Sequence, residues 1–259
     1  VPELIEVEVY RKAAAQTIGR TVSAVSTFSD SYLREGTPLS DLRSVMRGSQ
    51  LKDVRRIGKL LLLEVGTVVV GIRFGMTGRL IVDGQVTINE LLYTTNEIQD
   101  RHIRFSVGFH DGGTLAVIDP RGFGNVELNP DESLLGPDAM GVSDSELHYI
   151  CKNDRSALKS LLLNQRKISG IGNLLCDEIL WRSQIAPSRI SSSLNIAEIK
   201  RLAYEVKATI GDLTKRGGSH MGTLQPERHE NGVCPLDGFR LKRSQIAGRT
   251  SWWCPEHQL

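Results

Sequence analysis

Residues 60–72 read Leu60-Leu61-Leu62-Leu63-Glu64-Val65-Gly66-Thr67-Val68-Val69-Val70-Gly71-Ile72. This is the most apolar stretch of the chain, and Glu64 and Gly66 break it. It falls short of the roughly 20 apolar residues that a membrane span needs. It divides instead into two short β-rich runs, Leu60–Val65 and Val68–Ile72, on either side of a turn. Similar runs lie outward from it at Thr21–Phe28, Ser49–Val54, Leu80–Val82, His102–Phe109 and Thr114–Ile118. Asp111-Gly112-Gly113 is a hairpin turn between the last two. Ahead of them all, residues 3–17 read as one helix, with Leu4, Val7, Val9, Ala13 and Ala14 on its apolar side. The first half is therefore expected to be an antiparallel sandwich or barrel capped by that helix.

Residues 130–147 are of different material. Pro130, Gly136, Pro137 and Gly141 punctuate them, and they hold five acids and no base, which suits a linker. Helical periodicity follows at Ser156–Leu163, Leu174–Ser183 and Ile196–Leu213. Ser143 suits the cap of a further short helix, with Glu146 closing a capping box. Arg216-Gly217-Gly218 ends the helical part. The expected division is a β-sandwich domain with its N-terminal helix over 1–130, a linker over 131–147, a helical domain over 148–216, and a loop with a β-hairpin over 217–259. The fold class is α+β. No internal repeat or low-complexity segment interrupts it.

The 259 residues are 40% hydrophobic and 24% charged, an ordinary globular composition that argues against wholesale disorder. The opening Val-Pro-Glu carries acids and does not read as a secretory signal. Four cysteines make no disulfide scaffold, so a reducing cytoplasm is expected. The net charge of +2 hides an asymmetry: residues 151–259 carry 17 Lys and Arg against 10 Asp and Glu, and residues 1–150 carry 15 against 20. A basic second half points to a polyanion partner, against the alternative of an ordinary solvated surface.

Three constellations carry chemistry. Cys234-Pro-Leu-Asp237 is followed by Cys254-Pro-Glu-His257. Two pairs of ligand types, each spaced by two residues on a turn, can enclose a structural zinc ion tetrahedrally. The alternative makes Cys234 and Cys254 small buried hydrophobes. Arg240, Lys242, Arg243 and Arg249 lie between the pairs, as on a phosphate-binding hairpin. The second constellation is Asn164-Gln165-Arg166-Lys167-Ile168-Ser169-Gly170-Ile171-Gly172-Asn173. Gly170 and Gly172 permit close backbone approach, and the following helix presents free N–H groups where Asn173 donates to a phosphate or caps the helix. A tight packing contact between helices fits the same residues. The third is Pro2 with Glu3 and Glu6, which by itself is ordinary helix-start chemistry.

Together and in this order, these elements resemble the formamidopyrimidine-DNA glycosylase / endonuclease VIII family. Pro2-Glu3-Leu4-Ile5-Glu6-Val7-Glu8 resembles the family's opening. Arg55-Arg56-Ile57-Gly58-Lys59 resembles its Arg-Arg-x-Gly-Lys element. Gly75-Met76-Thr77-Gly78-Arg79-Leu80 and Asp119-Pro120-Arg121-Gly122-Phe123-Gly124 are similar to its two DNA-wedge loops. Gln165 to Glu178 resembles its helix–two-turns–helix motif, and Cys234 to Gln258 is similar in spacing to its zinc finger.

The resemblance implies a bifunctional DNA glycosylase and abasic-site lyase of base-excision repair. Pro2 would be the amine nucleophile, Glu3 its general acid/base, and Lys59 the cation on the phosphate beside a flipped nucleotide. Glu6 would shape the base pocket. Met76, Arg121 and Phe123 would fill the gap left in the duplex, although Met76 and Phe123 also suit core packing. Lys159, Gly170, Gly172, Asn173 and Arg249 would hold DNA, and Cys234, Asp237, Cys254 and His257 would hold zinc. The partner implied is damaged double-stranded DNA, met by a bacterial, cytoplasmic, nucleoid-associated monomer with no membrane attachment.

Two other classes compete. One is a catalytically silent damage-binding protein on the same fold. The other is an RNA- or ribosome-binding module, which leaves Pro2, Glu3 and Lys59 unexplained.

The sequence departs from the family pattern at several places. Val1 precedes Pro2, whose amine must be free; a GUG start codon, read as methionine and trimmed before proline, would explain it, whereas a retained Val1 would leave that nitrogen an amide and no nucleophile. Ile5 replaces a proline, Arg73 a histidine, and Asp237 and His257 two cysteines. The segment from Gly218 to Cys234 is shorter than the loop that caps oxidised purine. That favours oxidised pyrimidines, ring-opened purines or abasic sites over 8-oxoguanine.

Overall fold

A computed structural model describes residues 2–34, 36–88, 91 and 99–259. The chain divides into two compact units, Val1–Glu132 and Ser133–Leu259.

The first unit opens with helix α1 (Leu4–Ala14), which a single 3-10 turn extends through Thr17. Strand β1 (Val22–Thr27) and helix α2 (Leu39–Met46) follow. Then come strands β2 (Leu51–Ile57), β3 (Leu60–Val65), β4 (Val68–Arg73), β5 (Arg79–Val82), β6 (Gln85–Val86), β7 (Ile103–Phe109), β8 (Thr114–Ile118) and β9 (Asn125–Leu128). Among the described residues they form two antiparallel sheets, ordered β1-β7-β8-β5-β6 and β2-β3-β4-β9.

One core joins the sheets. Val25, Leu80, Phe105 and Leu115 come from the first, Leu61, Leu63, Ile72 and Val126 from the second, and α1 and α2 add Val7, Tyr10, Leu42 and Met46. This is the expected helix-capped sandwich. The apolar run that suggested it lies at the centre of its sheet: Leu60 and Leu62 are buried as fully as Leu61 and Leu63. A strand covered on both faces reads as continuous rather than alternating apolar sequence. Neither α2 nor β9 was expected. Helix α2 is eight residues long, and β9 is a four-residue strand whose sequence, Asn-Val-Glu-Leu, carries two apolar side chains.

The second unit holds helices α3 (Asp144–Lys152), α4 (Leu158–Leu163), α5 (Asn173–Arg182) and α6 (Ile196–Arg216), then strands β10 (Lys242–Ile246) and β11 (Arg249–Trp253). The capping box at Ser143 is present: the Ser143 N–H donates to Glu146 Oε2 at 2.8 Å, and the Glu146 N–H donates to Ser143 Oγ at 3.2 Å. Helix α3 thus begins inside the stretch expected to be linker. Part of that stretch is also docked, because the Gly136 N–H donates to the Gln165 carbonyl and the Ser169 N–H to that of Pro137. Helix α6 buries Ile199, Leu202, Val206, Ile210 and Leu213, one stripe at three- and four-residue spacing, against α3 and α5. No helix among the described residues is long and apolar enough to cross a membrane.

Candidate nucleic-acid interface

Helix α1 starts on Glu3. Its N–H donates to Glu6 Oε2 at 2.8 Å, which fixes the first turn. Pro2, Glu3 and Glu6 are all buried, so two carboxyl-bearing residues are buried in the first turn of the helix that follows Pro2. Val1, on which the freedom of that nitrogen depends, lies outside the described residues.

Lys59 is half-buried in the two-residue turn between β2 and β3, where Ile57 pairs with Leu60. Gly58 holds φ +56°, and Lys59 has negative φ, the pattern of a type II′ hairpin. Arg56 ties this turn to α1. Its Nη1 donates to the Gly58 carbonyl at 2.8 Å, and its Nε pairs with Glu8 at 3.2 Å. Burial raises the Glu8 pKa, but bonds from Arg11 and Arg56 outweigh it and hold the carboxyl below its ordinary value.

The two loops flanking β5 and β8 meet. Gly75 has φ +58°, and a Cβ there would lie 2.5 Å from the backbone of Phe123 and Gly124. Thr77 Oγ1 donates to the buried Asp119 at 2.5 Å, and the Gly124 N–H donates to the other carboxylate oxygen at 2.8 Å. The Tyr10 phenol, kept protonated by burial, donates from α1 to the Gly78 carbonyl at 3.2 Å. Phe123 is 57% exposed, and the Arg121 guanidinium stands 4.8 Å from its ring centroid. Core packing is therefore not the role of Phe123. Met76, half-buried, sits on the facing loop.

In the second unit Lys159, expected to hold DNA, does not reach solvent: it is fully buried, with Nζ 2.6 Å from Asp177 and 3.1 Å from the Thr250 carbonyl. Its ammonium is committed to these two partners. Arg228 pairs with the other Asp177 oxygen at 2.9 Å. Asn173 Nδ2 donates to the same Thr250 carbonyl at 3.2 Å, which leaves its second amide hydrogen for another acceptor. Gly170 holds φ +107°, and its N–H is already given to Gln165 Oε1 at 2.9 Å. Gly170 thus shapes the loop. Gly172 is the N-cap residue of α5. Arg249 is exposed at the first position of β11, next to the residue that Lys159 and Asn173 hold.

Cys234, Asp237, Cys254 and His257 converge, with their ligand atoms within 4.8 Å of one another. Cys254 Sγ lies 3.2 Å from Asp237 Oδ2, Cys234 Sγ 3.5 Å from His257 Nδ1, and His257 Nδ1 3.0 Å from Asp237 Oδ2. Zinc bond lengths imply tetrahedral edges of roughly 3.3–3.8 Å, so the group fits. The His257 ring agrees. Nε2 faces the Trp181 carbonyl at 3.3 Å and must carry hydrogen there. Nδ1, 3.0 Å from Asp237 and 3.5 Å from the Cys234 thiol, is then the ring nitrogen turned to the ligand cluster, the one that a bound cation would take. Burial opposes ionisation of Asp237, but the Phe239 N–H, His257, Cys254 and Cys234 hold its pKa well below the ordinary range. Burial, together with Asp237 and Cys234, pushes the Cys254 thiol up to about 11, a shift that a bound divalent ion would reverse.

The family model for the formamidopyrimidine-DNA glycosylase N-terminal domain matches residues 1–126, and that for the family's H2TH domain matches residues 135–224. The chain belongs to the formamidopyrimidine-DNA glycosylase family. Among its curated relatives, the formamidopyrimidine-DNA glycosylase of Bacillus cereus is 29% identical over 98% of each chain. That of Nitrosococcus oceani is 28% identical over the whole of both. The fold matches that of the Lactococcus lactis Fpg solved with an abasic-site DNA, at TM-score 0.82, 22% identity and 99% coverage of each chain. It also matches MutM solved with carbocyclic 8-oxo-G DNA, at TM-score 0.83, 23% identity and the same coverage.

Reasoning from sequence assigned no separate role to Glu8, Arg56, Asp119 and Asp177, although all four lie inside the motif strings, and it did not single out Tyr10 or Arg228. Glu8 and Arg56 brace Lys59, Tyr10 and Asp119 brace the two loops, and Asp177 with Arg228 completes the charge cluster around Lys159. Asp119 did leave a signal: it follows Leu115-Ala116-Val117-Ile118 directly, an acid at the end of a core strand.

Proposed function

We propose that this member of the family is a bifunctional DNA glycosylase and abasic-site lyase acting on oxidised or ring-opened bases in duplex DNA. One observation carries the reading. A Pro-Glu helix start with buried Glu3 and Glu6, a braced lysine turn, and an exposed arginine–phenylalanine pair hang on one cross-linked unit.

The chemistry follows from the residue types. A free prolyl amine, less basic than lysine, keeps a usable lone pair near neutrality. It attacks the sugar's anomeric carbon as the bond to the base breaks, and the departing base takes a proton. Glu3 moves protons beside that nitrogen. The sugar ring opens to an iminium, which permits β- and then δ-elimination and so cuts the strand. Lys59 balances phosphate charge next to the reacting sugar, and Glu6 shapes the base pocket. Met76, Arg121 and Phe123 occupy the gap in the stack, offsetting the few kcal/mol that extruding a nucleotide costs. Asn173 and Arg249 hold phosphates, contacts that position DNA without reading its sequence. Zinc held by Cys234, Asp237, Cys254 and His257 would tie the β10–β11 hairpin to its preceding loop, a structural role. The partner is damaged duplex DNA, met by a monomer in the bacterial cytoplasm at the nucleoid.

The test is borohydride trapping on an abasic duplex, using protein whose N-terminus has been sequenced as Pro2. A covalent adduct is expected. Tight damage-specific binding with no adduct on any lesion would replace this reading with the catalytically silent damage binder.

A further inference from the structure

We propose that the buried carboxylate of Asp119 is a positioning residue that locks the two wedge loops into one rigid unit, and that intrusion into the DNA stack depends on this lock. The inference rests on the proposed function and deepens it.

A wedge that enters a base stack meets a load, because unstacking costs a few kcal/mol. Met76, Arg121 and Phe123 lie on loops, and loops yield unless their backbone is tied down. Here they are tied through one side chain. Asp119 is wholly buried at the end of β8. One of its oxygens accepts from Thr77, the neighbour of Met76, at 2.5 Å. The other accepts from the Gly124 N–H, the neighbour of Phe123, at 2.8 Å and from the Tyr32 phenol at 3.4 Å. The Thr77 hydroxyl also takes the Arg121 N–H at 3.4 Å. The main chain of Asp119 contributes as well: its carbonyl accepts from Arg104 at 2.8 Å and from the Gly122 N–H at 3.2 Å. Gly75 then abuts Phe123 and Gly124 at backbone level. A displacement of either loop therefore breaks charge-assisted bonds to a carboxylate that water cannot reach.

Asp119→Asn replaces one of the two acceptor oxygens with an amide donor, so Thr77 and Gly124 can no longer both donate to it, and Thr77→Val removes the tie to the first loop alone. The experiment uses a duplex with a stable, uncleavable abasic analogue and 2-aminopurine as the orphan base opposite it. The readout is the fluorescence change at saturating protein, which is independent of affinity. Wild-type protein is expected to raise the fluorescence as the orphan base unstacks. Both variants should still saturate the duplex, but with an amplitude about twofold or more smaller. Full amplitude in both variants overturns the proposal, as does no fluorescence change with wild type. A fall in Thr77→Val that merely tracks loss of folded protein, followed by circular dichroism, overturns it too. Failure of the catalytic reading looks different: the wild-type fluorescence change is intact, while borohydride yields no adduct on a cleavable abasic duplex.

Discussion

Glu3 carries the most specific residue-level prediction. Its side chain is buried at the N-cap of α1, one residue after Pro2, where Gln would preserve shape but not proton transfer. Glu3→Gln should lower base excision by about 10²-fold or more, the usual worth of a positioned acid/base. Binding to an abasic duplex should stay within a few-fold of wild type. Excision at the wild-type rate in single-turnover assays would remove Glu3 from the chemistry. The motif strings at the helix start, the lysine turn and the two loops before β5 and after β8 were legible because they are short and contiguous. The burial of Lys159 was not legible, for the converse reason. Its fate depends on Asp177, Arg228 and Thr250, which folding brings to it from elsewhere in the chain, and an isolated lysine in sequence looks the same whether it ends in solvent or in a buried ion pair.

At the level of elements, the strands and long helices were readable from periodicity and turn chemistry, and their ends shifted by a few residues. The Asp83-Gly84 turn between β5 and β6, with both residues at positive φ, is ordinary hairpin chemistry. Helix α2 escaped although Leu39, Leu42 and Met46 fall at helical spacing, because eight residues show little more than one period. The β10–β11 turn holds Ala247 at φ +52° and Gly248 at φ +68°. A non-glycine, non-Asn residue there costs roughly 1 kcal/mol. Ala247→Asn should therefore raise stability by about 0.5–1 kcal/mol in urea titrations, and a decrease would contradict the turn assignment. The same hairpin carries the metal prediction. Purified protein should release about one zinc per chain to a strong chelator, with a fall in Tm. His257→Ala should release it more readily, whereas Asp237→Cys should hold it at least as well, since thiolate suits zinc. Equal zinc retention in all three proteins would place the ion elsewhere.

Across the whole molecule, charge is what the sequence showed earliest, and it separates two arginine roles. Arg20 works inside the first unit: it spans Asp83 at 2.8 Å and Asp111 at 2.6 Å, and it holds both carboxyl groups below their ordinary pKa. A depressed carboxyl stabilises the fold above its unfolded pKa, and that contribution disappears as the pH falls through the folded value. The Tm gap between wild type and Arg20→Gln should therefore be full at pH 7 and shrink below about pH 4. A gap unchanged at low pH would mean that the arginine acts by packing on Phe109, 4.4 Å beneath it.

Arg249 works outward, in the basic second half. If Arg249 holds a phosphate as proposed, that contact releases counterions, so Arg249→Ala should weaken binding similarly for all sequences and flatten the log–log salt slope by about 1. Lys159→Met is the matched control, because Lys159 bonds to Thr250, the chain neighbour of Arg249, but only Arg249 faces solvent. Removing a partner from a buried ion cluster should cost about 3 kcal/mol of stability. The salt slope of the folded fraction should stay at the wild-type value, since no phosphate contact is lost. If Lys159→Met flattened the slope as Arg249→Ala does, the lysine would have to leave its pocket to reach DNA, and the burial of its ammonium against Asp177 would be a property of the free protein alone.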